Sequence, residues 1–258
     1  MLNEGDKRAV ARRFAAAAAR YDASARVQAR IAVAMAERLA ALDLPTGVRV
    51  LEIGCGTGLL TAAALARLPQ VGHWLATDIA PGMVAACHQR LSTDPRLSVA
   101  AMDGEGPATQ GPFDLICSTL ALQWFPDAAR ALSLWHGLLR PGGRLCVATL
   151  GVDTFAQWRA ALAAAGVKAA GPAYPDAATL SRWLGPGGRV ERQDFVEHHA
   201  DARHFLLSLR GIGADYAPTR LSPASLRRAM RGLDAVKPVD ITYDVRWLTL
   251  QASSISHG

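Results

Sequence analysis

Val50-Leu51-Glu52-Ile53-Gly54-Cys55-Gly56-Thr57-Gly58 is the stretch on which the architecture turns. Residues 48–53 form a short apolar run that reads as a buried strand, and residues 59–68 carry the spacing of a helix. The glycines between them allow a tight turn and a close backbone approach to a ligand. Their spacing narrows the choice of ligand. A dinucleotide fingerprint needs its third glycine after two intervening residues, where Leu59 stands here, and no Gly-Lys-Ser/Thr ending follows to make a P-loop.

Working outward, the same alternation recurs. Residues 73–77 predict a second strand that ends at Asp78, and Pro81 stands where the next helix, over 83–91, should begin. Residues 97–101, 113–118 and 144–149 predict further strands, with a helix over 127–139 and a turn at Arg140-Pro141-Gly142-Gly143. This pattern predicts an α/β fold with a mostly parallel sheet covered on both faces by helices. Upstream, residues 3–20 and 25–42 predict two helices before the first strand. The second carries the stripe Val27, Ile31, Met35, Leu39 and Leu42. Downstream, residues 190–198 and 239–250 predict a sixth and a seventh strand. The helices predicted at 201–209 and 223–233 interrupt that pair and are placed to cover a cleft. The expected organisation is one domain over 1–258: a helical extension at 1–44, a core at 45–198, a helical lid insertion at 199–237 and a last core strand at 238–252.

The 258 residues are half hydrophobic, 19% charged and carry a net charge of +6, which excludes a disordered chain and a disulfide-built scaffold. The basic excess lacks an aromatic-interleaved track, so nucleic acid is not expected as a partner. The opening MLNEGDKRAVARRF has no apolar run after its basic residues, and the alanines at 15–19 are too few to span a bilayer. The expectation is a cytoplasmic protein without membrane insertion. Cys55, Cys87, Cys117 and Cys146 form no CxxC pair, and His198, His199 and His204 lack a defined ligand set, so no metal is expected.

The acidic residue before GxGxG, Glu52 with Gly54, Gly56 and Gly58, resembles the first motif of the class I S-adenosylmethionine-dependent methyltransferases. The resemblance implies a Rossmann-like, seven-stranded sheet. It implies S-adenosyl-L-methionine as cofactor, with the loop against its methionine and ribose portions and Glu52 near its amino group. Asp78 is then the expected acceptor for the ribose hydroxyls, a role its carboxylate can fill with two acceptor oxygens; a helix N-cap or turn aspartate is its structural alternative. Ile79 and Met83 are expected against adenine, and Asp103-Gly104 resembles the family's adenine-contact loop. Residues 113–118 and the turn at 139–144 resemble further family motifs.

The flanks narrow the resemblance. Phe14, Ala18, Tyr21, Asp22, Ala25, Val27 and Gln28, the run Ser118-Thr119-Leu120-Ala121-Leu122-Gln123-Trp124, the stretch 206–214 and Thr242-Tyr243-Asp244-Val245 are similar to the malonyl-acyl-carrier-protein O-methyltransferases of biotin synthesis. Thr119 departs from the family's usual asparagine. The resemblance implies methyl transfer to the free carboxylate of malonyl-acyl-carrier protein. Tyr21 is the expected gate over the cofactor, Trp124 a wall of the acyl channel, and Arg210 the partner of the malonyl carboxylate by bidentate pairing. The carrier protein implied is acidic. The expected docking edge is Arg220, Arg227, Arg228, Arg231 and Lys237, ahead of a second basic set at Arg8, Arg12, Arg13 and Arg20. Other small acids, phenols, amines or activated carbons remain alternative acceptors.

Overall fold

The computed structural model describes residues 4–167, 173–215 and 221–253. Seven strands form one sheet: β1 Val48–Ile53, β2 Val71–Asp78, β3 Leu97–Ala101, β4 Phe113–Thr119, β5 Leu139–Leu150, β6 Arg189–His199 and β7 Val239–Gln251, in the order β3-β2-β1-β4-β5-β7-β6. The first five strands pair parallel with one another, and β7 runs antiparallel between β5 and β6. The strand order reverses at β1, which pairs with β2 on one side and β4 on the other. Ligands in open α/β sheets settle at such a point, beyond the carboxyl ends of the strands.

Alternate residues of each strand feed different cores. Val48, Val50, Leu115, Cys117, Cys146 and Ala148 join one cluster, with α3 (Arg26–Ala40), α4 (Leu59–Leu65), α7 (Ala156–Ala164), α9 (Ala202–Gly211) and α10 (Pro223–Leu233). Leu51, Ile53, Ile116, Leu145 and Val147 join the other, with α6 (Ala128–Gly137) and α8 (Ala177–Leu184). Both faces of the central strands are therefore apolar, as helix-covered parallel strands require. The stripe Val27, Ile31, Met35 and Leu39 of α3 is fully buried.

The expected turn at 140–143 takes another form. Strand pairing begins one residue earlier, with Leu139 opposite Phe113. The Pro-Gly-Gly run is carried inside β5 as an irregularity, with Gly142 at φ +77° and the register shifting between Phe113 and Leu115. A bulge absorbs the extra residues without ending the ladder. The N-terminal segment comprises α1 (Glu4–Ala17), a 3-10 turn (Ala18–Arg20) and one helical turn, α2 (Tyr21–Ser24), before α3. α9 and α10 lie between β6 and β7 in the chain. Arg220 lies outside the described residues. Among the described residues no helix is long and apolar enough to cross a membrane.

Candidate active site

A cavity of about 1330 Å³, counted with its open mouth, lies over the carboxyl ends of β1, β2 and β4. The glycine loop is its floor. The N–H groups of Gly54 and Cys55 both donate to the Thr77 carbonyl at 2.8 Å, which fastens the loop to β2. Gly54, at φ +74°, has the Ala121 methyl so near that a β-carbon would stand 2.4 Å from it. Gly56, at φ +54°, has nothing within 4 Å of that position. One glycine is required by close packing; the other opens a backbone surface toward the cavity.

Asp78 closes the loop from the side. Its Oδ2 accepts from the Gly56 N–H at 2.9 Å and its Oδ1 from the Ala80 N–H at 2.8 Å. Burial raises its pKa, against the lowering effect of these two bonds. The carboxylate also lines the cavity and keeps lone pairs free for a diol. It is thus a turn aspartate, holding the N–H of Ala80, the N-cap of the helix that begins at Pro81, and it also occupies the expected cavity position. Met83, Asp103 and Gly104 line the same end with Ile53, Met102 and Phe125. Ile79 lines it from a position 40% exposed.

Glu52 stands behind the loop, fully buried and absent from the cavity wall. Its Oε2 accepts from Thr61 Oγ1 at 2.6 Å and Trp74 Nε1 at 2.8 Å. It therefore ties β1 to α4 and β2. Burial pushes its pKa up to about 7; the two hydrogen bonds oppose that rise and the charge of Asp78 adds to it.

The N-terminal segment roofs the cavity. Lys7, Val10, Ala11 and Phe14 recur on one face of α1 and all line it, followed by Tyr21 and Gln28. Lys7 is buried, binds Asp103 at 2.7 Å and pairs with Glu105. Burial works against its ammonium, but the hydrogen bonds to the two carboxylates outweigh it and raise its pKa. Asp22 accepts from Thr57 Oγ1 at 2.7 Å and pairs with Arg90 of α5 (Pro81–Leu91), which pins α2 beside the glycine loop. Phe14 packs edge-on against Trp124 at 5.6 Å and lies 6.5 Å from Tyr21. The expected gate and wall residues thus meet through Phe14, which carried part of the family resemblance but was given no place in the site. The Tyr21 phenol is held neutral, its pKa raised by burial and then by Asp78.

Arg210 is not brought to this site. It is exposed on α9, while Leu209, Ile212 and Ala214 line the cavity. Gly211 packs so tightly on Ser24 that a β-carbon would fall 2.1 Å from its hydroxyl oxygen. That contact fixes the helix's rotation, and the residue before it faces outward. Leu120 (φ +57°), from the run 118–124, lines the cavity, and so do residues to which sequence reasoning gave no site role: Phe155 (φ +59°), Tyr174 and Tyr243. Two non-glycine residues in the left-handed region on one cavity wall mark strain that the surrounding packing sustains. Lys7 was legible in principle, because it shares the i, i+3, i+7 face of Val10 and Phe14. Among the described residues no group of three metal-ligating side chains forms, and all four cysteines are buried thiols.

This strand order, with a glycine loop at its switch point and acidic residues at the end of β2 and after β3, defines a methyltransferase of the class I fold. Residues 50–143 match the family described as "Methyltransferase domain". Among solved structures, the YcgJ protein of Bacillus subtilis aligns with TM-score 0.61 at 14% identity, over 87% of this chain and 99% of that one. The N-methyltransferase NodS of Bradyrhizobium japonicum, in complex with S-adenosyl-L-homocysteine, aligns with TM-score 0.53 at 18% identity, over 86% of each. The chain is 45% identical over 232 residues to the biotin biosynthesis bifunctional protein BioCD of Bordetella avium, covering 88% of this chain and 49% of that protein, about half its length. It is 40% identical over 220 residues to the malonyl-[acyl-carrier protein] O-methyltransferase of Magnetococcus marinus, covering 84% of this chain and 81% of that one. The chain belongs to the malonyl-[acyl-carrier protein] O-methyltransferase family.

Proposed function

We propose that the protein uses S-adenosyl-L-methionine to methylate the free carboxylate of malonyl-acyl-carrier protein, the reaction named for its relatives and one that serves biotin synthesis. The observation that carries this reading is 40% identity over 84% of this chain and 81% of a relative named for that reaction, a match far longer than the glycine loop alone.

The residues present suit the cofactor. A glycine whose β-carbon position opens onto free space, a carboxylate at the end of β2 and a second beyond β3 face one cavity with Ile79, Met83 and Met102. Asp78 would hold the ribose hydroxyls and Asp103 with Gly104 the adenine edge. When bound, the cofactor supplies a methyl carbon on a positively charged sulfur. A malonyl carboxylate is already ionised near neutral pH, so the chain needs no general base. Its task is to align one carboxylate oxygen opposite the sulfur and to exclude water, which would otherwise stabilise the separated charges. Tyr21, Phe14 and Trp124 close the roof over the reacting end. Arg227, Arg228 and Arg231 are exposed on α10 and offer a basic edge to an acidic carrier, although Arg228 also donates to the Ala165 carbonyl at 3.4 Å.

Mass-resolved methylation of malonyl-carrier protein tests the reading, with unmalonylated carrier as control. A methyl ester on the malonyl group alone is the expected result. Modification of both carriers, or of neither, would overturn it. The roof gives a second expectation. Lys7→Met leaves Asp103 and Glu105 facing each other without their cation, so S-adenosylhomocysteine should bind roughly fivefold to tenfold more weakly. Raising salt from about 0.05 to about 0.5 M should weaken binding to the wild-type chain more than to the variant. Calorimetric titration at both salt levels checks this, and equal salt dependence would count against the latch.

A further inference from the structure

Tyr243 is 3% exposed and lines the cavity, yet nothing in the reaction above uses it. It stands on β7 opposite Phe195 of β6, which places it on the sheet face that also carries Glu197 and His199. Both of these are buried, at 8% and 7% exposure. The Tyr243 hydroxyl donates to Glu197 Oε2 at 3.3 Å, long for an O–H···O bond. His199 Nε2 lies 3.4 Å from the same oxygen and is otherwise without a hydrogen-bond partner. One carboxylate oxygen therefore has two donors within reach and holds neither tightly. Apolar rings seal the group: Phe155 lies 4.9 Å from Tyr243 and Phe205 lies 5.5 Å from His199. Among these groups Tyr243 alone has both a hydroxyl beside Glu197 and a place in the cavity wall.

We infer that Tyr243 binds the carboxylate of the methyl acceptor by donor exchange: its O–H turns from Glu197 to the incoming carboxylate oxygen, and His199 Nε2–H takes the vacated place on Glu197. The inference rests on the proposed reaction and names the group that recognises its substrate. Exchange keeps the buried carboxylate hydrogen-bonded in both states, which avoids the cost of an unsatisfied buried acceptor. A neutral phenol is suited to the task. Burial, reinforced by Glu197, holds its pKa far above the ordinary range, so it remains a donor wherever the substrate is ionised. A phenol also fixes the carboxylate's direction without a second full charge, and leaves the sulfonium as its counter-ion. Glu197 and His199 act as positioning residues.

The test measures methyl transfer to malonyl-carrier protein, inhibition by acetyl-carrier protein, which lacks the carboxylate, and S-adenosylhomocysteine binding. Tyr243→Phe keeps the ring and should raise KM for the malonyl carrier roughly tenfold or more, the scale of a lost charge-assisted hydrogen bond. The acetyl-carrier inhibition constant and the product affinity should stay within about twofold. His199→Leu should raise the malonyl KM several-fold, whereas His199→Gln, which keeps a donor, should restore it; a packing role would not rank these two variants by donor. The assignment falls if Tyr243→Phe leaves the malonyl KM unchanged, if malonyl and acetyl carriers shift together, or if the two His199 variants behave alike. A wild-type chain that transfers no methyl to malonyl-carrier protein would sink the reaction itself, which the wild-type control separates from failure of this assignment.

Discussion

Gly54→Ala should weaken S-adenosylhomocysteine binding by about a hundredfold, one of the two strongest effects this site predicts. Two costs combine. The residue sits at φ +74°, where an L-side chain costs roughly 1–2 kcal/mol. Its β-carbon would also lie 2.4 Å from that of Ala121, and relieving such an overlap costs roughly 1–3 kcal/mol. Neither partner can move without disturbing the cavity. Gly54 is fastened to the Thr77 carbonyl, and Ala121 lies between Leu120, already strained, and Gln123 and Trp124, which all line the site. A combined cost of about 3 kcal/mol corresponds to the hundredfold. Adding Ala121→Gly removes the overlap and leaves the backbone strain, so the double variant should recover roughly tenfold. Calorimetric titration, with circular dichroism to verify folding, checks both. Binding by Gly54→Ala within about threefold of wild type would show that the loop is not the floor of the cofactor site.

The strand-loop-helix core was legible because its signals are local. The spans predicted from the sequence for the first and third strands, and for the helix at 223–233, coincide with the structure's elements. Periodicity supplied the α3 stripe, and the glycine spacing together with Asp78 located the cavity. What escaped the sequence depends on contacts between distant residues. Lys7 meets Asp103 and Glu105 across almost a hundred positions, and a lysine near a chain start otherwise reads as solvated. Arg210 follows a plausible pattern, but α9's rotation is set by the packing of Gly211 on Ser24, which no helical period contains. Phe155 and Tyr243 are ordinary aromatics in sequence; the left-handed backbone of one and the register of the other turn them into the cavity wall. Glu52 belongs to a strand buried on both faces, where alternation does not say which neighbour a carboxylate will face.

That last residue yields the second large expectation. Glu52 is held by Thr61 and Trp74 through Oε2, while its Oε1 has no hydrogen-bond partner among the described residues. Burial raises its pKa from an ordinary 4.5 to about 7, against the two hydrogen bonds and with help from Asp78. The unfolded chain therefore releases this proton near pH 4.5, while the folded chain keeps it until about pH 7. Between those values the folded state binds more protons, so its stability falls as pH rises; above the window the loss is complete and constant. A shift of this size is worth about 3 kcal/mol. Glu52→Gln keeps an acceptor for Thr61 and Trp74 but carries no titrating proton. Relative to the wild type, the variant should gain about 3 kcal/mol between pH 4.5 and pH 8, read from urea midpoints at unchanged slope. Parallel pH profiles would refute this. The same variant separates two roles for the residue. If Glu52 braces the loop from behind, S-adenosylhomocysteine affinity should stay within about threefold of wild type at neutral pH. If it reached the cofactor's amino group, the loss of its charge would cost tenfold or more, even though the carboxyl is half protonated there. The acidic residue that announces the site in the sequence would then serve it through the stability of the strand beneath, which ties its contribution to the pH at which the fold is most secure.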